Sequence, residues 1–206
     1  MLDFMRILVI DDEPLIVRSL TRLLRKHDVV GAANGAEALA RLEGDTAFDG
    51  IFCDVRMPDA DGVELAGEIN TQMPRHVVNA VASILAQDAK DLDGSSVLVL
   101  GVAYKKNVGD VRETPAAPIV EDLQERGAQV QYHDPLVPNF PKMRRHDLGL
   151  HSVPLTEQVV RDADVVLIVT DHDAIDFSLV ATAAQRVVDT RNVLSEAQVQ
   201  GVYRRA

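Results

Sequence analysis

Three aspartates are placed where they could hold a metal ion and receive a phosphoryl group. Asp11 and Asp12 follow the short apolar run RILVI, and Asp54 follows the run IFC. If these runs are strands of one parallel sheet, their carboxyl ends share the edge where such sheets place their sites. Carboxylates there suit Mg²⁺, which would offset their repulsion and draw an incoming phosphoryl group onto one of them. For the Asp11–Asp12 pair alone, a helix cap with solvated charge is the alternative.

Positively charged residues follow apolar runs in the second half of the chain. Lys105 comes after VLVLGVAY and precedes a loop that contains Lys106 and Arg112. Arg191 comes just after the run RVVD. Cations gathered at one sheet edge suit a diphosphate, with Arg as a bidentate donor and Lys as a point charge. Solvated charge at a strand end is the alternative for any one of them.

Apolar runs and amphipathic stretches alternate along the chain, which predicts an α/β fold of parallel sheets with right-handed crossovers. Pro14 opens a helix in which Ile16, Leu20 and Leu23 share one face. A second helix covers Gly35–Leu42 with its apolar residues inward. The predicted strands are Arg6–Ile10, Val29–Ala33, Ile51–Asp54, Val97–Tyr104, Val130–His133, Val165–Thr170 and Arg186–Asp189.

A helical stretch is predicted after the loop Met57–Gly62, with an interruption at Pro74. Over residues 75–90 it carries an apolar stripe, which indicates either a dimer surface or an ordinary core helix. The segment Asp134–Pro154 is predicted to be irregular because it is rich in proline. Further helices are predicted from Thr114 and Pro115 to Arg126, from Thr156 to Asp162, and from near Ser195 onward.

The motifs VIDDEP and DVRMPDADG, with the two helices beside them, resemble the receiver domain of bacterial response regulators over residues 6–66. The resemblance implies that Asp54 is the phospho-acceptor and that Asp11, Asp12, Asp54 and the backbone carbonyl of Arg56 hold Mg²⁺. It also implies a two-component partner, either a histidine kinase or a small phosphodonor. A complete receiver has a fourth strand ending in Ser or Thr and a fifth ending in Lys-Pro, and the chain leaves this pattern after its third strand.

A second resemblance covers residues 67–194 and concerns the C-terminal part of the UDP-glucose/UDP-N-acetylmannosamine dehydrogenase family. It implies that Tyr104, Lys105 and Arg191 contact UDP or a UDP-sugar and that the long helix builds a homodimer. It implies a loop-ordering role for Arg112 and a turn-fixing role for Asp189. The motifs that carry it are EINTQMPRHVVNAV, VLVLGVAYKKNVGDVRETPA, AQVQYHDPLVP, ADVVLIVTDHDAI and RVVDTRNVL.

Members of that family oxidise their sugar with NAD and a cysteine nucleophile, and the chain departs from this pattern. No G-x-G-x-x-G dinucleotide motif occurs, and Cys53 lies inside a predicted strand. We therefore expect no NAD binding, no catalytic residue for dehydrogenation, and a UDP-binding module without dehydrogenase activity. A Mg²⁺-dependent phospho-accepting signalling protein that uses Asp54 is one alternative, and a ligand-free scaffold is another.

The two resemblances predict three parts: a receiver-like βαβαβ half domain (1–66), a connecting and dimerisation helix (67–91) and a UDP-binding domain (92–206). The expected sheets are flavodoxin-like or Rossmann-like. The junction falls inside the helical stretch DGVELAGEIN, where both parent patterns could have a helix. A junction inside a helix favours a chimera, because fused natural genes more often join whole domains through linkers, and a genuine fused regulator is the alternative.

The composition excludes several classes of protein. The formal net charge is −11, and the chain has no basic stripe that could neutralise phosphates along a nucleic acid. No run approaches the roughly 18 apolar residues that a membrane span needs. The single cysteine cannot form an intrachain disulfide, which fits a reducing cytoplasm. We thus expect a cytoplasmic protein with neither nucleic-acid nor membrane partners.

Overall fold

The structure is a computed structural model that describes residues 4–44, 48–58 and 60–206. It divides into two compact units, Met1–Met73 and Pro74–Ala206. Each unit is built on a parallel sheet with helices against it, so the predicted α/β fold is confirmed. Among the described residues, no helix has both the length and the apolar character needed to cross a membrane.

The first unit contains a three-stranded parallel sheet in the order β2-β1-β3. Strand β1 (Arg6–Ile10) is central, and Ile7 to Ile10 are at most 2% exposed because both faces of the strand are covered. Strand β2 (Asp28–Ala32) and strand β3 (Gly50–Cys53) flank it. Helix α2 (Gly35–Gly44) packs Ala38 and Leu42 into this core, as the sequence predicts.

Helix α1 (Pro14–Leu23) starts at the predicted proline, but it buries none of its residues. Ile16 is 41% exposed and Leu23 is 78% exposed, so these two residues of the predicted apolar face remain largely in solvent, whereas Leu20 is half-buried. Strand β3 also leaves an apolar side chain exposed. It lies at the edge of the sheet next to β1, and its Phe52 is 52% exposed.

A short antiparallel hairpin follows β3 and leads into a long helix. Strand β4 (Arg56–Met57) pairs with β5 (Ala60–Asp61), and helix α3 begins at Gly62. A Cβ atom on Gly62 would lie 2.0 Å from the carbonyl oxygen of Asp54, so this position accepts only glycine without a backbone shift. The tight approach fixes the backbone next to Asp54.

Helix α3 (Gly62–Ala86) is continuous, so the predicted interruption at Pro74 is wrong. Proline removes one helical hydrogen bond and crowds the preceding turn, but a long helix that is packed along its length can tolerate that loss. The predicted apolar stripe is buried in the core of the second unit, where Val78, Val81 and Ile84 have no exposed surface. The stripe therefore serves this chain's own core.

The second unit contains a five-stranded parallel sheet in the order β10-β9-β8-β6-β7. Alternate residues of strand β6 face two different cores, with Val97 and Val99 in one and Leu98 and Leu100 in the other. The strands are β6 (Ser96–Leu100), β7 (Gln129–His133), β8 (Val165–Ile168), β9 (Arg186–Asp189) and β10 (Val202–Arg205).

Two predictions in the second unit need correction, and one helix was not predicted. Strand β6 ends four residues before Tyr104, because Gly101 takes a φ of +75° and turns the chain. The helix expected from Ser195 is wrong, since the chain forms β10 beside β9 and Tyr203 donates a hydrogen bond to the carbonyl oxygen of Leu194. Helix α6 (Phe177–Ala183), which the sequence reading missed, is capped by Asp176. Helix α5 (Glu157–Asp162) lies where it is predicted, and helix α4 (Ala116–Glu125) begins one residue later than predicted, with Pro115 and not Thr114 at its N-cap.

Candidate functional site

The predicted acids meet at the carboxyl edge of the first sheet. Asp11, Asp12 and Asp54 each offer a carboxylate oxygen, and these oxygens all lie within 4.8 Å of one another. Strand pairing places them there, since the backbone N–H of Asp54 donates to the carbonyl oxygen of Ile10 at 2.9 Å. Asp11 is buried, and its Oδ1 accepts from the backbone N–H of Glu13 at 2.8 Å. We call these three residues the acid cluster.

The acid cluster fits a small divalent cation. Oxygens bound to one Mg²⁺ at about 2.1 Å lie at most about 4.2 Å apart, so a small side-chain rotation would close the three oxygens on an ion. Arg56, whose backbone carbonyl is the fourth predicted ligand, lies in β4 opposite Asp61. Its role as a ligand stays a prediction.

Cys53 lies beside the acid cluster and is a poor nucleophile. Its Sγ donates to the carbonyl oxygen of Asp54 at 3.1 Å. Burial raises the pKa of the Cys53 thiol, and the nearby carboxylates of Asp54 and Asp11 raise it further. Because the thiolate is the reactive form, the thiol stays protonated and unreactive at neutral pH.

The predicted cations lie at the carboxyl edge of the second sheet. Strand β6 has β7 on one side and β8 on the other, so the loops after β6 and β8 leave the sheet at a point where the strand order reverses. Open α/β sheets bind ligands in the crevice at such a point. Tyr104 and Lys105 lie in the loop after β6, and Nζ of Lys105 is 5.2 Å from the centre of the Tyr104 ring. Tyr104 is 46% exposed, so its ring is open to a ligand.

Arg191 lies in the turn after β9, and Asp189 fixes this turn. The buried Asp189 accepts from the backbone N–H of Arg191 at 2.8 Å and from that of Leu194 at 2.9 Å. The guanidinium of Arg191 reaches the loop after β8, where its Nε is 3.4 Å from Oδ1 of Asp171. We call Lys105, Lys106 and Arg191, with the loops that carry them, the cation edge.

Lys106 is held by acids from the loop after β8. Its Nζ lies 2.6 Å from Oδ1 of Asp173 and 3.5 Å from Oδ2 of Asp171. The hydrogen bond to Asp173 raises the pKa of Lys106, and the charges of both aspartates add to the shift. Arg112 donates its hydrogen bonds to Asp110, and these bonds lower the pKa of Asp110 to about 2. Arg112 therefore orders its own loop, as the sequence leads us to expect.

A buried pair beneath the cation edge was missed by the sequence reading. Asp134 and His172 have fully buried side chains, and His172 Nε2 lies 3.1 Å from Oδ2 of Asp134. The backbone N–H of Asn107 donates to Nδ1 of His172 at 2.9 Å, so the proton of the neutral ring is on Nε2 and is donated to Asp134. The pair thereby ties together the loops after β6, β7 and β8.

Asp134 is also the acceptor for the backbone of two of these loops. Its Oδ2 accepts from the N–H groups of Val102 and Ala103, at 2.7 and 3.1 Å. Its Oδ1 accepts from those of Leu136 and Val137, at 2.8 and 3.1 Å. An acid directly after an apolar strand, as in YHDP, is the sequence signal that could have identified it.

Comparison with known proteins gives two family matches. Residues 7–98 match the response regulator receiver domain, and residues 98–196 match the UDP binding domain of the UDP-glucose/GDP-mannose dehydrogenase family. The receiver match extends beyond the residues on which the sequence resemblance rests and ends where the second match begins.

Curated relatives and solved structures point to the same dehydrogenases. The chain is 27% identical over 157 residues to UDP-N-acetyl-D-mannosamine dehydrogenase of Methanocaldococcus jannaschii, covering 72% of this chain and 34% of that protein. It is 30% identical over 121 residues to UDP-glucose 6-dehydrogenase of Rhizobium meliloti, covering 56% and 27%. It also superposes on the crystal structure of NDP-N-acetyl-D-galactosaminuronic acid dehydrogenase from Methanosarcina mazei with a TM-score of 0.60 and 30% identity, covering 74% and 33%.

These relatives are much longer than the matched region, since the chain spans about a third of the length of the M. jannaschii protein. The two family matches meet at Leu98 in β6 and together run from residue 7 to residue 196. The chain therefore carries a region that matches the response regulator receiver domain, followed by a region that matches the UDP binding domain of the UDP-glucose/GDP-mannose dehydrogenase family.

Proposed function

We propose that the second unit binds UDP or a UDP-sugar at the cation edge. The observation that supports this most is the convergence of cations from two loops, since Lys106 and Arg191 both approach the carboxylate of Asp171. Lys105 and the open ring of Tyr104 lie in the same loop as Lys106. A diphosphate needs such a set of separate cations, and the position is the crevice where open α/β sheets bind ligands.

Each residue of the cation edge would contribute a distinct interaction. Arg191 would donate two parallel hydrogen bonds to phosphate oxygens, because a guanidinium presents its donors as a fork. Lys105 would supply a positive charge close to the second phosphate group. The exposed face of Tyr104 would pack against the sugar or the uracil ring.

Replacing Arg191 by alanine should weaken the binding of UDP by about 30- to 150-fold, since charge-assisted bidentate contacts are worth about 2–3 kcal/mol. Isothermal titration calorimetry with UDP, UDP-glucose and UDP-N-acetylmannosamine measures this. Arg144, an exposed arginine of the irregular segment 134–154, is the matched control, and its replacement by alanine should change the affinity less than twofold. No heat with millimolar UDP and wild-type protein would refute the proposal.

We propose further that the protein binds the UDP-sugar without oxidising it. The protonated thiol of Cys53, which donates to the carbonyl oxygen of Asp54, supports this part of the proposal. Incubation with NAD⁺ and each UDP-sugar should give no absorbance of NADH at 340 nm. Steady NADH formation that a Cys53→Ser variant abolishes would contradict it.

The geometry of the acid cluster favours a second function, Mg²⁺-dependent phosphorylation of Asp54. Asp11, Asp12, Asp54 and the carbonyl of Arg56 would hold the ion, which would offset the negative charges that meet there. The carboxylate of Asp54 would attack the phosphorus of a histidine kinase phosphohistidine or of a small phosphodonor, forming an acyl phosphate and releasing the donor group.

Incubation with acetyl phosphate and Mg²⁺ should add one phosphoryl group to the wild-type protein and none to an Asp54→Asn variant. The change removes the attacking oxygen and keeps the side-chain shape. Intact-protein mass spectrometry detects the added mass, and a Glu64→Gln variant on α3 should label like wild type. Labelling that persists in Asp54→Asn, or that survives EDTA, would overturn this assignment.

We propose an origin by recombination of two α/β proteins, because the stretch where the two sequence patterns meet lies in one continuous helix, α3. The two family matches abut later, at Leu98 in β6. A homodimer is part of the proposal, but its surface should not be the stripe of α3, because that stripe is buried.

A further inference from the structure

A single carboxylate lies between two cations of the cation edge. Asp171 follows β8, and its Oδ1 is 3.4 Å from Nε of Arg191. Its Oδ2 is 3.5 Å from Nζ of Lys106. The two oxygens thus face cations from the loops after β9 and β6, as the oxygens of a bound phosphate would. The side chain of Asp171 is 24% exposed, so the position opens to solvent.

We propose that Asp171 is an internal counter-anion, which holds Lys106 and Arg191 in the free protein and is displaced when a phosphate group binds between them. The inference rests on the nucleotide site proposed above and names Asp171 as the residue that limits the affinity of that site for UDP. Asp171 keeps the two cations from repelling each other and keeps them in place. The same carboxylate opposes the entry of any anionic ligand.

The contacts of Asp171 are weak enough for a phosphate to replace them. Charge-assisted N–H···O bonds are normally about 2.7–2.9 Å long, and both contacts of Asp171 are longer. A diphosphate carries more charge and more acceptor oxygens than a carboxylate, so it can satisfy Arg191 and Lys106 together. The displaced carboxylate then remains close to the phosphate, and this repulsion lowers the affinity.

Asp173, two residues later, behaves differently and provides the matched control. It holds Lys106 at 2.6 Å and accepts from Nδ2 of Asn107 at 2.6 Å, so it orders the loop after β6. Its side chain is 69% exposed, and Arg191 is not among its contacts. Replacing either aspartate by asparagine changes the net charge equally, so a comparison separates a local effect at Asp171 from a general gain of positive charge.

The test compares wild type, Asp171→Asn and Asp173→Asn by calorimetry, with UDP and with inorganic pyrophosphate as probes. Asp171→Asn should bind both probes about three- to tenfold more tightly, as expected for removal of one nearby charge that is partly screened by water. Asp173→Asn should stay within twofold of wild type or bind more weakly. Thermal melting of each variant confirms that it is folded.

The possible outcomes separate this inference from the proposed function. If Asp171→Asn binds UDP as tightly as wild type, or more weakly, Asp171 is not a counter-anion although the nucleotide site stands. Equal tightening in both variants would also overturn the inference, because it would show a general charge effect. If Asp171→Asn binds pyrophosphate more tightly than wild type but UDP binds to neither protein, the counter-anion stands and the nucleotide proposal fails. If neither probe binds any of the three proteins, both are overturned.

Discussion

Replacing Asp134 by asparagine should lower the free energy of unfolding of the second unit by about 3–5 kcal/mol, since each orphaned buried donor costs about 1–3 kcal/mol. The carboxylate accepts four backbone N–H groups and faces Nε2 of His172. An asparagine side chain turns one oxygen into an N–H₂ group. At least two donors then lose their acceptor in a site with no access to water.

Urea denaturation followed by circular dichroism measures this loss, with hydrogen exchange in β6 and β7 to assign it to the second unit. The control is Asp147→Asn, which removes an exposed ion pair with Lys142 and should cost less than about 1 kcal/mol. A change of less than about 1 kcal/mol for Asp134→Asn would show that the loops after β6, β7 and β8 do not depend on this side chain.

Replacing Gly101 by alanine should have an effect of similar size, about 3 kcal/mol or more, and should also weaken UDP binding. Gly101 has a φ of +75°, and a Cβ atom there would lie 2.2 Å from the carbonyl oxygen of Thr170. Thr170 cannot easily move away, since its backbone N–H donates to the carbonyl oxygen of Leu100 and its hydroxyl donates to the carbonyl oxygen of Ala103 at 2.6 Å. Relief of the clash must therefore displace the loop that carries Lys105.

Gly94 is the control that separates the clash from backbone strain. It has a φ of +78°, but a Cβ atom there would meet nothing within 4 Å. Gly94→Ala should thus cost only the strain of a left-handed alanine, about 1–2 kcal/mol, and leave UDP binding unchanged. Thermal melting and UDP calorimetry on both variants check the pair. Equal losses of stability in the two variants would show that contact with Thr170 contributes nothing.

Much of the fold could be predicted because local pattern and tertiary structure agree. The apolar run Arg6–Ile10 forms the central strand, and Arg186–Asp189 forms β9 with the predicted bounds. Pro14 marks the start of α1, and Thr156 caps α5 by accepting from the backbone N–H of Val159. These signals are short-ranged, so one sequence is enough to identify them.

The errors arise where distant residues decide the structure. Helix α3 passes through Pro74 because packing along the helix outweighs one lost hydrogen bond. The end of the chain forms β10 because an open edge of β9 is available to it, which local propensity cannot show. The role of His172 depends on Asp134 and Asn107, which are 38 and 65 residues away in the sequence.

The placement of the candidate sites could be predicted better than their internal contacts. Asp11, Asp12 and Asp54 meet because residues that end neighbouring parallel strands share one edge. The same rule places Lys105 and Arg191 on the edge of the second sheet. It says nothing about the intervening Asp171 and Asp173, whose contacts depend on the paths of two loops.

The central claim, that the cation edge binds UDP, is tested most directly by titrating the ¹⁵N-labelled protein with UDP and following its amide spectrum. The backbone signals of Tyr104, Lys105 and Arg191 should shift together and saturate, while those of β1 and α2 in the first unit should stay fixed. If UDP shifts no signal at millimolar concentration, or shifts only residues away from the loops after β6, β8 and β9, the account is contradicted.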